Sequence, residues 1–135
     1  MRPSIKVVGT FEPVVFPEFS ELEVTAKIDT GAYTGALHCN MIEERQMDDG
    51  KTLAFRPLDS ETEIVRDDFV IKYVRSSNGK REKRYFITTK VVIAGKPRPI
   101  TISLTNRSDM KWPVLIGRRF LKQYKFLVDP NKNKH

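Results

Sequence analysis

Short strand-like runs, each bounded by Gly, Pro, Asn or Asp, determine which folds are open to this chain of 135 residues. Most are rich in β-branched or aromatic residues, which favour a pleated, half-buried strand. They recur roughly every ten residues, a spacing typical of β-sandwiches and small barrels rather than of alternating helix and strand. The chain is therefore predicted to be mainly β. The runs are IKVVGTF (5–11), PVVFPEF (13–19), LEVTAKI (22–28), DFVIKYV (68–74), RYFITTKVVI (84–93), PITISL (99–104) and KFLVD (125–129).

Two segments have helical patterns, and two others have the composition of hairpin turns. Residues 118–124 (RRFLKQY) form the better helix candidate, and residues 41–46 (MIEERQ) form a weaker one that ends at the DDG of 48–50. The SSNG of residues 76–79 contains an Asn-Gly pair, which supplies the positive φ angles that tight hairpins require. Residues 94–96 (AGK) mark a second turn. A β-hairpin is therefore predicted around the first of these turns, and the second is predicted to join the runs TTKVVI and PITISL.

Length and composition favour a single cytoplasmic domain, residues 1–135, with a frayed tail at about 130–135. The chain lacks the roughly 18 to 20 apolar residues of a membrane span, and its N-terminus lacks a signal-peptide pattern. The single cysteine, Cys39, excludes an internal disulfide. The net charge of +7 favours acidic partners. The basic clusters are interpreted first as solvated surface, ahead of a nucleic-acid or acidic-peptide site.

One carboxylate stands where a strand breaks into a loop. The run LEVTAKI leads directly into Asp29, Thr30, Gly31 and Ala32. Gly31 lets the backbone approach closely, so N–H groups can point at the oxygens of Asp29. Hydrolysis of an amide by carboxylates needs two of them, one ionised to take a proton from water and one protonated to polarise the carbonyl. An Asp-Thr-Gly alone is a weak signal, because a β-turn can also use it.

Two motifs together resemble the retropepsin-type aspartic peptidases: IDTGA at residues 28–32 and PVLIGR at residues 113–118. In that family Asp-Thr-Gly is the catalytic loop, the later motif packs beneath it, and a hairpin flap lies between them. A wider set is similar to a small bacterial retropepsin-like family, often labelled an ATP-dependent zinc protease and frequently encoded beside glutamate ligases. That set comprises DTGAYTGALH (29–38), SSNG (76–79) with Glu82 and Arg84, LTNR (104–107), Met110 and PVLIGR (113–118).

This resemblance implies an all-β, closed or partly open barrel of the acid-protease type with one short C-terminal helix. It implies that Asp29 is the catalytic carboxylate and that Thr30 and Gly31 hold and orient it. Because the chain has one such motif, the second carboxylate would come from another copy in a two-fold homodimer. The flap would close over a peptide or protein substrate. The candidate substrate-binding residues are Ala32, Ser76, Ser77, Asn78, Gly79 and Arg118.

The chain departs from the viral pattern at Tyr33. Viral members usually have an Asp there, which pairs with the Arg of the Ile-Gly-Arg segment, here Arg118. Arg118 must therefore find a different acid, or it is free to meet an acidic substrate. The second alternative suits a family encoded beside glutamate ligases.

The zinc label of the family is not matched by a ligand pattern. The candidate ligands are His38, Cys39 and His135, without the spacing of a tetrahedral site or a His-Glu-x-x-His helix. In a strand, His38 and Cys39 point to opposite faces. We therefore expect no metal and no cofactor, with His38 at the edge of the core and Cys39 buried. Nothing resembles a nucleotide-binding loop either, since residues 95–97 lack its further glycine and its Ser or Thr.

Three functions remain open at this point. The first is an aspartic endopeptidase that uses a water-activating pair of Asp29 carboxylates in a homodimer. The second is a non-catalytic binding module of the same fold, which holds an acidic tail, a ligase partner or RNA. The third is a metal-dependent amide hydrolase that uses Asp29 as a metal ligand or as an orienting group. Nucleic acid is the least favoured of these partners, and no membrane partner is expected.

Overall fold

The structure is a computed structural model that describes residues 6–75 and 78–132. Within these ranges the chain forms eleven strands and one short helix. β-structure therefore dominates, as the strand-like runs predict. In chain order the elements are β1 (Lys6–Val8), β2 (Phe11–Val14), β3 (Val24–Asp29), β4 (Ala36–Met47), β5 (Gly50–Pro57), β6 (Ile64–Arg66), β7 (Val70–Arg75), β8 (Arg81–Ile93), β9 (Lys96–Thr105), β10 (Val114–Gly117), α1 (Arg118–Gln123) and β11 (Phe126–Val128).

Nine strands belong to one sheet, and the other two form a separate parallel pair. The main path of the sheet runs β2-β3-β10-β4-β9-β8-β7, and β5 and β6 branch from β4. In the separate pair, Lys6 of β1 lies opposite Phe126 of β11. As the second and third strands of the main path, β3 and β10 are parallel neighbours with Gly117 beside Asp29. The sheet therefore brings the two motifs of the sequence together.

The closed barrel in the prediction is wrong, since no sheet closes on itself in the part of the chain that the structure describes. The reason lies in β4, which is divided between two sets of partners. Its first residues pair with β9 and β10, and residues 39–47 pair with β5 across a bulge between Cys39 and Met41. Bulges bend a strand, so the sheet diverges at β4. The side near β2 meets β8 through an isolated bridge between Val15 and Val92 rather than a continuous ladder.

The weaker helix candidate, residues 41–46, is also wrong, because this segment is the outer half of β4. It pairs in antiparallel register with β5, Met47 lying opposite Gly50. Arg45 reaches across to Glu63, with a nitrogen-oxygen distance of 2.8 Å. The DDG interpreted as a helix end is instead a hairpin turn, in which Asp48 and Asp49 form the turn and Gly50, with a φ of +137°, begins β5. Strand pairing thus overrides the helix propensity of Glu, Arg and Gln.

The other local predictions are confirmed. The helix forms over Arg118–Gln123, within one residue of the prediction. β7 and β8 pair on either side of the Asn-Gly turn, of which Ser76 and Ser77 lie outside the described residues. β8 and β9 pair around a turn in which Ala94 and Gly95 have φ angles of 53° and 76°. No helix of the described residues is long and apolar enough to cross a membrane.

The core forms where alternate strand residues point inward. Along β8, Ile87, Thr89, Val91 and Ile93 are buried, and Thr88 and Lys90 between them are exposed. Both His38 and Cys39 are buried on β4, as predicted for Cys39. The largest fully buried side chains are Phe16, Phe55, Leu37, Leu53, Ile87, Ile93, Ile100, Ile102, Ile116, Val8, Val14 and Val91.

Candidate active site

Asp29 is the last residue of β3, and its carboxylate is held from the loop that follows. The side chain is half-buried, and its Oδ1 accepts a hydrogen bond of 3.0 Å from the Gly31 N–H. The Ala32 N–H donates to the Asp29 backbone carbonyl over 3.2 Å. Thr30 is exposed between them. The strand end and the turn therefore leave the carboxylate oriented at the surface of the sheet, as the Asp-Thr-Gly motif predicts.

The N-terminus of α1 anchors the loop that carries Asp29. The Arg118 N–H donates to the Ala32 carbonyl over 2.8 Å, and the Arg119 N–H donates to the Tyr33 carbonyl over 2.9 Å. These are N–H groups that the first turn of a helix leaves without a partner in the helix itself. The loop and the helix thus satisfy each other's backbone groups, and the loop is held without any contribution from a side-chain cap.

Two glycines allow the backbone to cross itself at this point. A Cβ on Gly117 would lie 2.5 Å from the Tyr33 carbonyl oxygen, and one on Gly35 would lie 2.3 Å from the Leu115 oxygen. Gly35 also has a φ of +78°. The buried Ser103 hydroxyl donates to the Gly35 carbonyl over 2.7 Å. Only glycine fits both positions, so the two motifs are interlocked through their backbones.

Arg118 contacts the loop that carries Asp29. Its Nη1 donates to the carbonyls of Gly31 over 3.2 Å and Thr30 over 3.4 Å. Its guanidinium lies 5.3 Å from the centre of the Tyr33 ring, a cation-π distance. Among the ion pairs of the described residues, none joins Arg118 to an acid. The partners of Arg118 are therefore the Tyr33 ring and two backbone carbonyls, where the viral pattern has an Asp side chain.

A cavity of about 720 Å³ opens beside this loop. It starts at Ala32, three residues after Asp29, and its far wall is the stem of the β7–β8 hairpin rather than the tip. The exposed tip residues Asn78 and Gly79 are not part of the lining. Their predicted contact with substrate stays a prediction. The lining consists of residues 32–36, 82–85 and 104–107, with Ile42, Met110 and Leu115.

The cavity wall is rich in cations. Lys83, Arg84 and Arg107 line it, with Glu82 as the acid. Arg84 contacts Glu82 at 3.1 Å. Burial lowers the pKa of the Arg107 guanidinium; the charge of Asp29 opposes this shift, and that of Arg84 adds to it. Arg107 therefore lies within electrostatic reach of Asp29.

The position of Arg84 and Arg107 in the cavity wall is missed by reasoning from sequence, although both belong to motifs that carry the family resemblance. They are 23 positions apart along the chain, and they meet because β8 and β9 are paired, with Tyr85 opposite Leu104. The signal available in the sequence was that Arg84 begins one apolar run, RYFITTKVVI, and Arg107 follows the end of another, PITISL, by three positions. Pairing those two strands in register would have placed both arginines at one end of the sheet.

The donors near the site do not fit a zinc ion. His38 uses both ring nitrogens: Nδ1 accepts from the Arg107 N–H at 2.9 Å, and Nε2 lies 2.7 Å from Asp59 Oδ1. Burial raises the pKa of the Cys39 thiol to about 12, so the thiolate that binds metals is suppressed. In residues 6–75 and 78–132, no group of three or more His, Cys, Asp or Glu side chains is placed to hold a metal ion. His135 lies outside these ranges.

Comparison with known proteins agrees with this architecture. The model of the RimB-like family, described as retropepsin-like aspartic endopeptidase RimB, matches residues 7–135. The crystal structure of a Legionella pneumophila protein of unknown function superposes with a TM-score of 0.73, at 27% identity over 93% of each chain.

Two curated relatives have a different name. Proteins from Parasynechococcus marenigrum and Shewanella pealeana, each called a probable alpha-L-glutamate ligase, are 32% and 29% identical over 92% and 94% of this chain. The matched region is only 28% and 29% of their own lengths. The chain therefore spans less than a third of the curated relatives that it matches.

Proposed function

This chain belongs to the RimB-like family of retropepsin-like aspartic endopeptidases, and on that basis we propose that it hydrolyses peptide bonds with two Asp29 carboxylates, one from each copy of a homodimer. The observation that carries the proposal is the loop after β3. It holds the Asp29 carboxylate through the Gly31 N–H and is interlocked with β10 and α1. Such rigidity is what a general acid-base pair needs.

The chemistry follows from two carboxylates that share one proton. The ionised carboxylate takes a proton from a water molecule, whose oxygen bonds to the peptide carbonyl carbon. The protonated carboxylate gives its proton to the carbonyl oxygen. The carboxylate that has lost its proton then takes one from a hydroxyl of the resulting diol, so a C=O bond forms as the C–N bond breaks. The other carboxyl group gives the leaving nitrogen the proton that it took from water, which restores the starting state of the pair. No covalent bond to the enzyme forms in this sequence.

The β1–β11 pair supports the proposal of a homodimer. A sheet of two strands is marginal in water by itself, and its edges present unpaired N–H and C=O groups. Val7 and Leu127 lie opposite each other in this pair and are 40% and 56% exposed. Adding the same two strands of a second copy would cover both the edge and this apolar pair. The two-fold axis would then relate the two Asp29 loops.

We propose an acidic peptide as the substrate class. Lys83, Arg84 and Arg107 line the cavity. Lys83 is paired with Glu44 and Arg84 with Glu82, so among the ion pairs of the described residues Arg107 is the lining cation left to meet a carboxylate side chain. The name of the curated relatives, alpha-L-glutamate ligase, points to glutamate as the amino acid handled in their context. A peptide that ends in several glutamates has the negative charge that suits the cavity and consists of the amino acid in the relatives' name.

The decisive test compares the wild-type chain with Asp29→Asn on a labelled peptide ending in glutamates. The wild type is expected to cleave it, and the variant to lose at least about a hundredfold in kcat, because acid-base catalysis contributes that much or more. EDTA is expected to leave the wild-type rate unchanged. Full hydrolysis by Asp29→Asn would show that the Asp29 pair is not the catalyst, and loss with EDTA would favour a metal-dependent hydrolase.

A second function is favoured by the ligase name and by the small share of the relatives that the chain spans. In that case the domain binds an acidic tail without cleaving it. Binding to polyglutamate would survive Asp29→Asn and weaken as ionic strength rises. A wild-type chain that binds the peptide and leaves it intact would support this alternative.

A further inference from the structure

A buried histidine connects an exposed carboxylate to the loop that carries Arg107. His38 is 3% exposed on β4. Its Nδ1 accepts the backbone N–H of Arg107 over 2.9 Å, and its Nε2 lies 2.7 Å from Asp59 Oδ1. Because Nδ1 accepts, the ring proton is on Nε2 and is donated to Asp59. The three residues therefore form one chain of hydrogen bonds with a fixed tautomer.

The turn that presents Asp59 is strained. Leu58 and Asp59 have φ angles of 55° and 58°, a left-handed conformation that residues with a side chain rarely adopt. The Leu58 N–H donates to the His38 carbonyl over 2.8 Å, so the turn is attached to His38 twice. The Asp59 side chain is 75% exposed, and burial of Asp59 therefore does not explain the strain. Strain of this kind is characteristic of functional sites.

At the other end of this chain of hydrogen bonds, the Arg107 guanidinium is held at the wall of the cavity. Its Nε donates to the Trp112 carbonyl over 3.0 Å, which fixes the direction of the side chain. Among the ion pairs of the described residues, none includes Arg107. A partly buried cation without a paired acid is costly, and an incoming anion would offset that cost.

We propose that Asp59 and His38 are positioning residues that hold the Arg107 loop, and that Arg107 binds a carboxylate of the peptide beside Asp29. The inference rests on the proposed function, because it assigns the specificity of the same site. It also identifies residues on β4 and on the turn after β5 whose effect on specificity is indirect, since His38 and Asp59 act only through Arg107.

The test measures KM and kcat for two peptides that differ only in a glutamate or a glutamine next to the cleaved bond. His38→Ala is expected to raise KM for the glutamate peptide about tenfold, because a hydrogen bond that orients a charged group is lost. Neither its kcat nor its KM for the glutamine peptide should change by more than about twofold, since Asp29 is untouched. His38→Asn is expected to restore most of the loss, because its amide oxygen replaces Nδ1 as acceptor.

Two further variants keep the inference testable if His38→Ala does not fold. Asp59→Ala changes an exposed side chain and is expected to shift KM in the same direction as His38→Ala, and Arg107→Gln is expected to abolish the preference for glutamate. An equal rise in KM for both peptides, failure of His38→Asn to rescue, or an unchanged preference in Arg107→Gln would each overturn the inference.

Binding separates this inference from the peptidase proposal. The dissociation constants of both peptides are measured on an Asp29→Asn background, with and without His38→Ala. If the wild type hydrolyses neither peptide but His38→Ala weakens binding of the glutamate peptide alone, the peptidase proposal fails and this inference holds. If the wild type hydrolyses both peptides and His38→Ala leaves both dissociation constants unchanged, the peptidase proposal holds and this inference fails.

Discussion

Gly35 and Gly95 have almost the same backbone angle in different surroundings. Their φ values are +78° and +76°. A Cβ on Gly35 would lie 2.3 Å from the Leu115 carbonyl oxygen, whereas a Cβ on Gly95 would meet nothing within 4 Å. The two positions therefore separate the cost of a left-handed backbone from the cost of a collision.

Replacing each of these glycines by alanine measures the two costs. Gly95→Ala is expected to lower the free energy of unfolding by about 1 kcal/mol, the cost of the left-handed conformation. Gly35→Ala should lower it by at least about 2 kcal/mol more, because the backbone must move to relieve the overlap. Urea denaturation gives both values. Equal losses would show that the crossing of the two motifs is looser than the structure indicates.

Some residues of the site can be predicted from the sequence and others cannot. The difference is how many positions along the chain separate the residues that contact each other. Asp29 and Gly31 were predicted because they meet within one turn, and the predicted hydrogen bond between them is present. His38 contacts Asp59 across 21 positions and Arg107 across 69. No local pattern marks such contacts, since they depend on the bulge in β4 and on the pairing of β4 with β9.

Strands were predicted correctly where β-branched residues dominate. The prediction failed where charged residues replace them. β3, β8 and β9 follow the apolar runs closely. The outer half of β4 contains Glu43, Glu44 and Arg45, so its composition favours a helix. These charges are stable in a strand because neighbouring strands carry their partners. That information is absent from the segment itself.

Glu44 illustrates this pairing between strands. Its carboxylate on β4 accepts hydrogen bonds from Lys83 and from the Tyr85 hydroxyl, both on β8. The hydrogen bond from Lys83 is the main cause that lowers the pKa of Glu44, followed by that from Tyr85. The same contact with Glu44 raises the pKa of Lys83. β4 is therefore attached to the hairpin stem that lines the cavity.

This attachment predicts a pH-dependent contribution to stability. The unperturbed pKa of Glu44 is 4.5, and the folded value is lower, so its stabilisation is complete above pH 4.5 and is lost as pH falls through the folded pKa. Glu44→Gln should therefore unfold at lower urea than the wild type at pH 7, and the difference should close as the pH falls well below 4.5. Glu61→Gln, an exposed acid between β5 and β6, is the control and should show a smaller effect at pH 7. A gap between Glu44→Gln and wild type that stays constant down to low pH would contradict this assignment.

At the scale of the whole molecule, only part of the fold was predictable. The all-β class and the short helix before the last strand were correct, and the closed barrel was not. Closure depends on which strands meet at the two ends of a sheet, and these contacts are the most distant in sequence. Whether the sheet closes depends on the division of β4 between β5 and its other partners, and no single residue of β4 predicts this division.

The proposed homodimer makes activity depend on protein concentration. Leu127→Lys places a charge on the exposed apolar face of β11 and should weaken dimerisation at least about tenfold, because two lysines would face each other across the two-fold axis. Specific activity should fall in parallel and recover as concentration rises. Sedimentation equilibrium and peptide hydrolysis measure both effects.

Leu22→Lys is the matched control for this experiment. Leu22 is 75% exposed in the segment between β2 and β3, so the same change there should affect neither mass nor activity. A Leu127→Lys variant that stays dimeric and active would exclude β11 from the interface.

The parallel pairing of β1 with β11 has a consequence for how this unit can be carried between proteins. Lys6 faces Phe126, so the chain enters at Lys6 and leaves at Val128 only roughly 8 Å away, given ordinary strand spacing and rise. A domain whose first and last strands are neighbours can be inserted into a surface loop of another protein without separating the two ends of that loop. In the curated relatives the matched region is 29% and 28% of a longer chain.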